Sequence, residues 1–200
     1  MEFVDDIATL ERIYGEPGSA SLQKVATQLT PLYEAWITAS RFCVISTVGP
    51  QGTDGSPRGD EGPVVRVLDP NHVAMPDWRG NNRMDTLRNI VADGRVSLMF
   101  FVPHNNNVIR LNGTARITLD ADLLERFAHR GTRPRSVIVI RIEEIYSQCA
   151  RALMRSDLWS AGPVAGLPTA GDLLAEQTAG AEGGADYDAA WGARAAQTMW

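Results

Sequence analysis

The sequence predicts an α+β fold in which a run of antiparallel strands is flanked by helices toward both ends of the chain. Three observations predict it. Between residues 42 and 146, short apolar segments alternate with clusters of Gly, Pro, Asn and Asp, the pattern of strands joined by turns. Residues 1–41 and 160–200 instead carry apolar residues at helical spacing, opened by capping residues. With 200 residues, 44% hydrophobic and 22% charged, the chain is long enough to bury one core. It divides into helices packed on the β domain (1–41), the β domain itself (42–159) and an Ala/Gly-rich helical arm (160–200).

In residues 1–18, Ile7, Leu10, Ile13 and Tyr14 share one face of a short helix that Gly15 and Pro17 end. Ser19 or Ser21 caps a second helix reaching residue 28. Thr30 followed by Pro31 is an N-cap with proline in the first turn, and Leu32, Ala35, Trp36 and Ala39 form that helix's apolar stripe, with Trp36 as a core anchor. Residues 42–48 make a strongly apolar strand. Residues 49–55 are dense in turn formers and predict a loop. Residues 56–63, with two prolines and two glycines, predict an irregular strand edge or bulge where backbone can approach a ligand. Strands follow at 64–68 and 72–76, joined by the turn Asp69-Pro70-Asn71.

After the next helix, residues 95–102 form a nearly continuous apolar strand, expected to be buried on both faces. A hairpin loop at 103–107 leads to a return strand at 108–119, with a break at Asn112-Gly113. Asp120 caps a helix at 121–129 whose Leu123, Leu124 and Phe127 point inward, and 136–146 is the last strand. In the arm, helices at 169–177 and 186–199 are joined by a flexible segment at 180–184. Trp191 and Trp200 imply that the arm docks, on its own β domain or on a partner.

The residues between Asp77 and Arg88 carry a chemical signal. Asn82 is placed to cap a helix, with Asp85 three residues on, and a helix start offers free N–H groups and partial positive charge. Arg79, Arg83 and Arg88 surround that start, together with Asn81, so a phosphate site is expected there. Met84, Leu87, Ile90 and Val91 make the helix's core face, which puts Arg83 and Arg88 on opposite flanks. Arg83 sits at the mouth; Arg88 is also placed to pair with a neighbouring acid.

Net charge −5 and a pI near 5.2 argue against a nucleic-acid or anionic-membrane binder. No apolar run approaches the length of a membrane span, and the acidic N-terminus lacks a signal-peptide layout, so a cytoplasmic protein is expected. Cys43 and Cys149 have no metal-ligand spacing and read as reduced thiols. His72, His104 and His129 are scattered, with no metal or base motif, and no catalytic residue is identified.

Val65-Arg66-Val67-Leu68-Asp69, then Pro76, Gly80-Asn81-Asn82-Arg83, Leu87-Arg88-Asn89-Ile90 and Arg95-Val96-Ser97-Leu98-Met99-Phe100 resemble, in order and spacing, the pyridoxamine 5'-phosphate oxidase-like family. The resemblance runs from about residue 42 to 159. It implies a β-barrel with flanking helices, namely the FMN-binding split β-barrel of antiparallel Greek-key type, working as a homodimer with FMN between subunits. It implies cofactor contacts from Arg66, Val67 and Leu68, from Arg58, from Pro76 and Asp77 at the flavin's pyrimidine edge and ribityl chain, and from Asn81, Asn82, Arg83 and Arg88 at the phosphate. Arg110 lies near a position that reaches the cofactor in the family, with solvent the other reading. Arg155 and Trp159 stand where family members send an aromatic and an arginine to the partner's flavin; docking of a helix on the barrel is the other reading.

The implied activity is flavin-dependent oxidation or reduction of a small molecule, with the flavin supplying the redox chemistry. Family members that oxidise pyridoxamine phosphate grip its phosphate with an arginine and a histidine one residue apart. No Arg-X-His occurs in these 200 residues, which argues against that substrate. The alternatives are the same fold holding the deazaflavin F420 or haem, the latter needing an axial histidine, or a non-catalytic flavin-binding or stress-response protein.

Overall fold

Period-two alternation sets the architecture. In a computed structural model describing residues 1–200, the strands are β1 (Phe42–Gly49), β2 (Gly52–Gly59), β3 (Arg66–Asp69), β4 (His72–Asp77), β5 (Arg95–Phe101), β6 (Val108–Thr118) and β7 (Ser136–Gln148). All pair antiparallel in one seven-stranded sheet of order β2-β1-β5-β6-β7-β4-β3. Alternate residues (Cys43 and Ile45; Val96, Leu98 and Phe100; Ile109 and Leu111; Ile138 and Ile140) fill one continuous core.

The sheet is open, with β2 and β3 as its edges, yet it curls on itself. Arg58 on β2 and Asp77 at the end of β4 lie toward opposite ends of the strand order and still meet at 2.8 Å. The connection between β2 and β3 is tied to the residues just ahead of β1, Asp60 N donating to Arg41 O at 3.0 Å and Val64 N to Ser40 O at 2.9 Å. The result is a split β-barrel with flanking helices.

The helices are α1 (Ile7–Tyr14), α2 (Ser19–Gln23), α3 (Pro31–Ala39), α4 (Asp85–Ala92), α5 (Ala121–Arg126), α6 (Arg151–Ser156), α7 (Ala170–Gln177) and α8 (Gly184–Thr198). Thr30 caps α3 and Asp120 caps α5 as expected, and Thr169 forms a reciprocal capping box with Asp172 on α7. The predicted break in the return strand is a bulge: Asn112 pairs with Glu144 but Gly113 with Ile142.

Several expectations are corrected. Residues 49–55 are not a loop: the turn is Pro50-Gln51, and β2 pairs with β1 without interruption from Gly49↔Gly52 to Phe42↔Gly59. An edge strand tolerates its Pro57 and glycines because one side needs no ladder bonds. Strand β5 is buried on one face only, its other face being half exposed. On α3, Ile37 enters the core with Tyr33 and Trp36 against it, while Leu32 is exposed. On α1, Ile7, Leu10, Ile13 and Tyr14 are all exposed. The segment at 180–184 forms the turn between α7 and α8. A Cβ on Gly183 would stand 2.5 Å from Gly171 O, so glycine lets α7 and α8 pack as a hairpin. Asp188 of α8 closes that hairpin, accepting from Gly171 N at 2.8 Å and Thr169 Oγ1 at 2.5 Å.

Candidate functional site

A cavity of about 1040 Å³ lies in the split of the barrel between β2, the end of β4, the 78–84 loop, the start of α4 and the start of β7. The β1–β2 hairpin positions one wall. Helix α4 seats on it through polar contacts, Thr86 Oγ1 donating to Asp54 at 2.5 Å and Asn89 Nδ2 to Thr47 Oγ1 at 3.1 Å. A Cβ on Gly49 would overlap Asn89, so glycine there admits the helix. The inward residues of α4 are therefore Thr86 and Ile90, with Leu87 partly covered. Met84 and Val91, expected in the core, are exposed at 47% and 78%.

The helix start also differs from the expectation. Its N-cap residue is Met84, not Asn82, and no side chain caps it. Asn82 and Met84 both adopt left-handed backbone conformations (φ 62° each), a concentration of strain at the mouth of the cleft. Asn81 Oδ1 accepts from Arg83 N at 3.0 Å, and Asn82 Oδ1 from Arg135 Nη1 at 2.6 Å. The first turn of α4 thus lines the cleft with no side chain capping it, although Asp85 sits in that turn.

Three guanidiniums line the cleft. Arg58 is mostly buried and bonded to Asp77, but its Nε is buried without a partner. Arg83 is largely exposed and paired with Asp85. Arg135 has an amide partner and no carboxylate one, so its guanidinium is not directly ion-paired. Its placement follows from the sheet: Arg135 N donates to Asp77 O at 3.0 Å just where β7 begins beside the end of β4. Asp54, Asp77 and Asp85 balance the lining charge.

Of the residues expected at a cofactor, Arg58, Asp77, Asn81, Asn82 and Arg83 are brought together here. Pro76 is buried and lines a smaller adjoining hollow with Arg58, Trp78 and Arg79. Arg66, Val67 and Leu68 lie on the edge strand β3, outside the cleft. The Arg66 guanidinium donates to Arg126 O and stacks 4.7 Å from the Phe127 ring. Arg88 is exposed on the far flank of α4 and has no acidic partner. Arg110 lies over the Tyr146 ring at 5.3 Å. Arg155 is exposed on α6. Trp159 donates from Nε1 to Asn105 O at 2.9 Å, which fixes the α6 segment to the β5–β6 loop in a separate hollow.

Sequence reasoning missed Arg135 and did not place Trp78 or Trp191 at the site. The pair Arg133 and Arg135 ahead of the last strand was a visible basic signal. Trp191 carried no such signal, because it reaches the cleft only through the docking of α8. No histidine lines the cleft: His72 pairs with Asp69, His104 packs near Trp159, and His129 faces Glu61 and Trp200. No three His, Cys, Asp or Glu side chains gather as a metal site. No helix is long and apolar enough to cross a membrane.

A curled, open antiparallel sheet with an anion-suited cleft in its split defines the class of split-barrel proteins. Residues 29–149 match the family model of pyridoxamine 5'-phosphate oxidase, and the chain belongs to that family. No curated protein matches the chain. Among solved structures it is similar to HupZ of Group A Streptococcus, at 20% identity over 60% of this chain and 93% of that one, TM-score 0.49. It is similar also to an FMN-binding protein of Syntrophomonas wolfei subsp. wolfei, at 13% identity over 58% and 83%, TM-score 0.46. General Stress Protein 26 of Bacillus anthracis str. Sterne is a further likeness, at 18% identity over 56% and 88%, TM-score 0.44. At such distances these three likenesses carry no functional argument, and the family rests on the match of residues 29–149.

Proposed function

We propose that the cleft binds FMN and that the protein is an FMN-dependent oxidoreductase acting on a small molecule, as a cytoplasmic homodimer with the cofactor at the subunit interface. The observation that carries this reading is the donor set in the split: Arg58 with an unpartnered buried Nε, Arg135 without a carboxylate partner, Asn81 and Asn82, and the uncapped start of α4. Guanidinium forks and free N–H groups suit a phosphate, which accepts several charge-assisted bonds at once. The set therefore fits a flavin phosphate, with Arg135 and Arg83 holding it and Arg58 and Asp77 toward the ring.

Bound there, FMN would supply reversible hydride transfer, and the chain would bind, orient and shield it. Asp77 fixes the Arg58 guanidinium, and Arg135 fixes Asn82, so the donors are held before a ligand arrives. Because Arg155 and Trp159 do not reach the cleft of their own chain, they are proposed to serve the partner's flavin. Pyridoxamine phosphate is not the proposed substrate, since the Arg-X-His grip is missing from the sequence.

The test begins with a visible absorbance spectrum of the purified protein and of its acid-released supernatant, followed by titration with FMN and riboflavin. Arg135→Ala is expected to weaken FMN by roughly 1.5–3 kcal/mol, the worth of a bond to a charged group, while leaving riboflavin unchanged. Equal losses for both ligands refute the phosphate assignment, and a protein that takes up neither refutes the flavin reading.

A further inference from the structure

We propose that the C-terminal helix supplies an aromatic wall to this cleft, with Trp191 as the residue that stacks on the planar ring of the bound ligand. This rests on the reading of the cleft as a flavin site. Trp191 is the one aromatic residue that the arm contributes to the cavity in the barrel's split, and its side chain is half exposed there. The arm holds it in place. Tyr187, one helical turn before, stacks on it with ring centroids 6.5 Å apart, and the Arg194 guanidinium lies over both rings at 4.5 and 5.1 Å. A ring held in this way loses little freedom on contacting a ligand.

The arm in turn is latched to the barrel by its last residue. The Trp200 indole meets Trp78 edge-on at 5.1 Å and packs 4.6 Å from the His129 ring. Trp78 is anchored by its Nε1 donating to Asp60 at 3.1 Å, and it lines the cleft itself. The latch therefore ties α8 to the loop that frames the site. A lining that is otherwise mostly polar thus carries a second indole beside Trp78 in the same cleft as the donor cluster, which is the chemistry that suits a planar heteroaromatic carrying an anionic group. The wall belongs to the chain that owns the cleft, unlike the contact proposed for Trp159.

The test is titration of wild type, Trp191→Ala, Trp191→Phe and Trp200→Ala with FMN and riboflavin, reading absorbance and flavin fluorescence. Loss of one stacking partner is expected to weaken both ligands equally, by roughly threefold to tenfold. Trp191→Ala should also raise the fluorescence of the bound flavin, because an adjacent indole quenches it. Trp191→Phe restores most of the affinity, and Trp200→Ala reproduces the loss by releasing the arm. Wild-type binding and unchanged flavin fluorescence in Trp191→Ala overturn the wall while leaving the flavin site standing. A wild-type protein that binds no flavin overturns the site and the wall together.

Discussion

Replacing Gly113 by alanine puts a methyl group where strand β7 already runs. Opposite Gly113 the register shifts, so that Glu143 is left without a partner on β6 and the β7 backbone bows toward the glycine. A Cβ built on Gly113 overlaps the Arg141 carbonyl oxygen, and stands 3.1 Å from its carbon and 3.4 Å from Glu143 N. Neither strand can step aside, because β6 is paired to β5 on its other side (Val96↔Gly113) and β7 to β4 (His72↔Arg141). Overpacking costs about 1–3 kcal/mol, and a weakened ladder bond about 1 kcal/mol more. Gly113→Ala is therefore expected to lose roughly 2–4 kcal/mol in urea unfolding followed by far-UV circular dichroism. Gly192→Ala is the internal reference. It lies inside α8 with nothing within 4 Å of a built Cβ, and should be neutral or stabilising by up to about 1 kcal/mol. Gly113→Ala within about 0.5 kcal/mol of wild type would refute the claim that this close approach fixes the register of the barrel.

Three further outcomes follow from the two thiols and from the arm. Cys43 is buried, which pushes its thiol up to about 12 against an opposing influence from Arg58, whereas exposed Cys149 is lowered, chiefly by a bond to the Arg151 backbone. A thiol reagent should label Cys149 alone in the native protein, and at a lower pH than an ordinary cysteine; labelling of both at equal rates counts against the buried placement. Because the folded Cys43 is raised above its unfolded value near 9.0, its contribution to stability is present below that pH and is lost as pH rises toward 12. Asp188→Ala removes the side chain that bonds Gly171 N and Thr169 Oγ1, and should loosen the α7–α8 hairpin by about 1–2 kcal/mol. The readout is faster amide exchange in α7 with little change in the barrel; uniform loss across the molecule would show that the arm and barrel unfold together.

The helix caps were legible because they are local chemistry. Thr30, Asp120 and Thr169 each satisfy a backbone donor within three residues, whatever the rest of the chain does. The strands of the barrel's centre were legible as strands, Arg95–Phe101 from its apolar run and Val108–Thr118 as its return, although the one-sided burial of Arg95–Phe101 was not. Strand β2 was legible only in its second half, where residues 56–59 read as an irregular strand edge. The glycines and Asp54 before them argue for a loop in isolation, and only pairing along β1 turns them into strand. The start of α4 was misplaced for a related reason. Asn82 looks like a cap, but its amide is engaged by Arg135, fifty-three residues away, and the helix begins after a left-handed Met84.

By itself the sequence determined the α+β class, the caps of α3, α5 and α7 and the charged loop from Arg79 to Arg83, since these depend on neighbours a few positions apart. Which cations share one cleft was decided by tertiary structure. Curling of the sheet carries Arg58 to Asp77, the end of β4 brings Arg135 to Asn82, and docking of Trp200 beside Trp78 and His129 accompanies the placing of Trp191 in the cleft lining. Those contacts join residues from 19 to more than a hundred positions apart, and their energy exists only once the core has closed behind them.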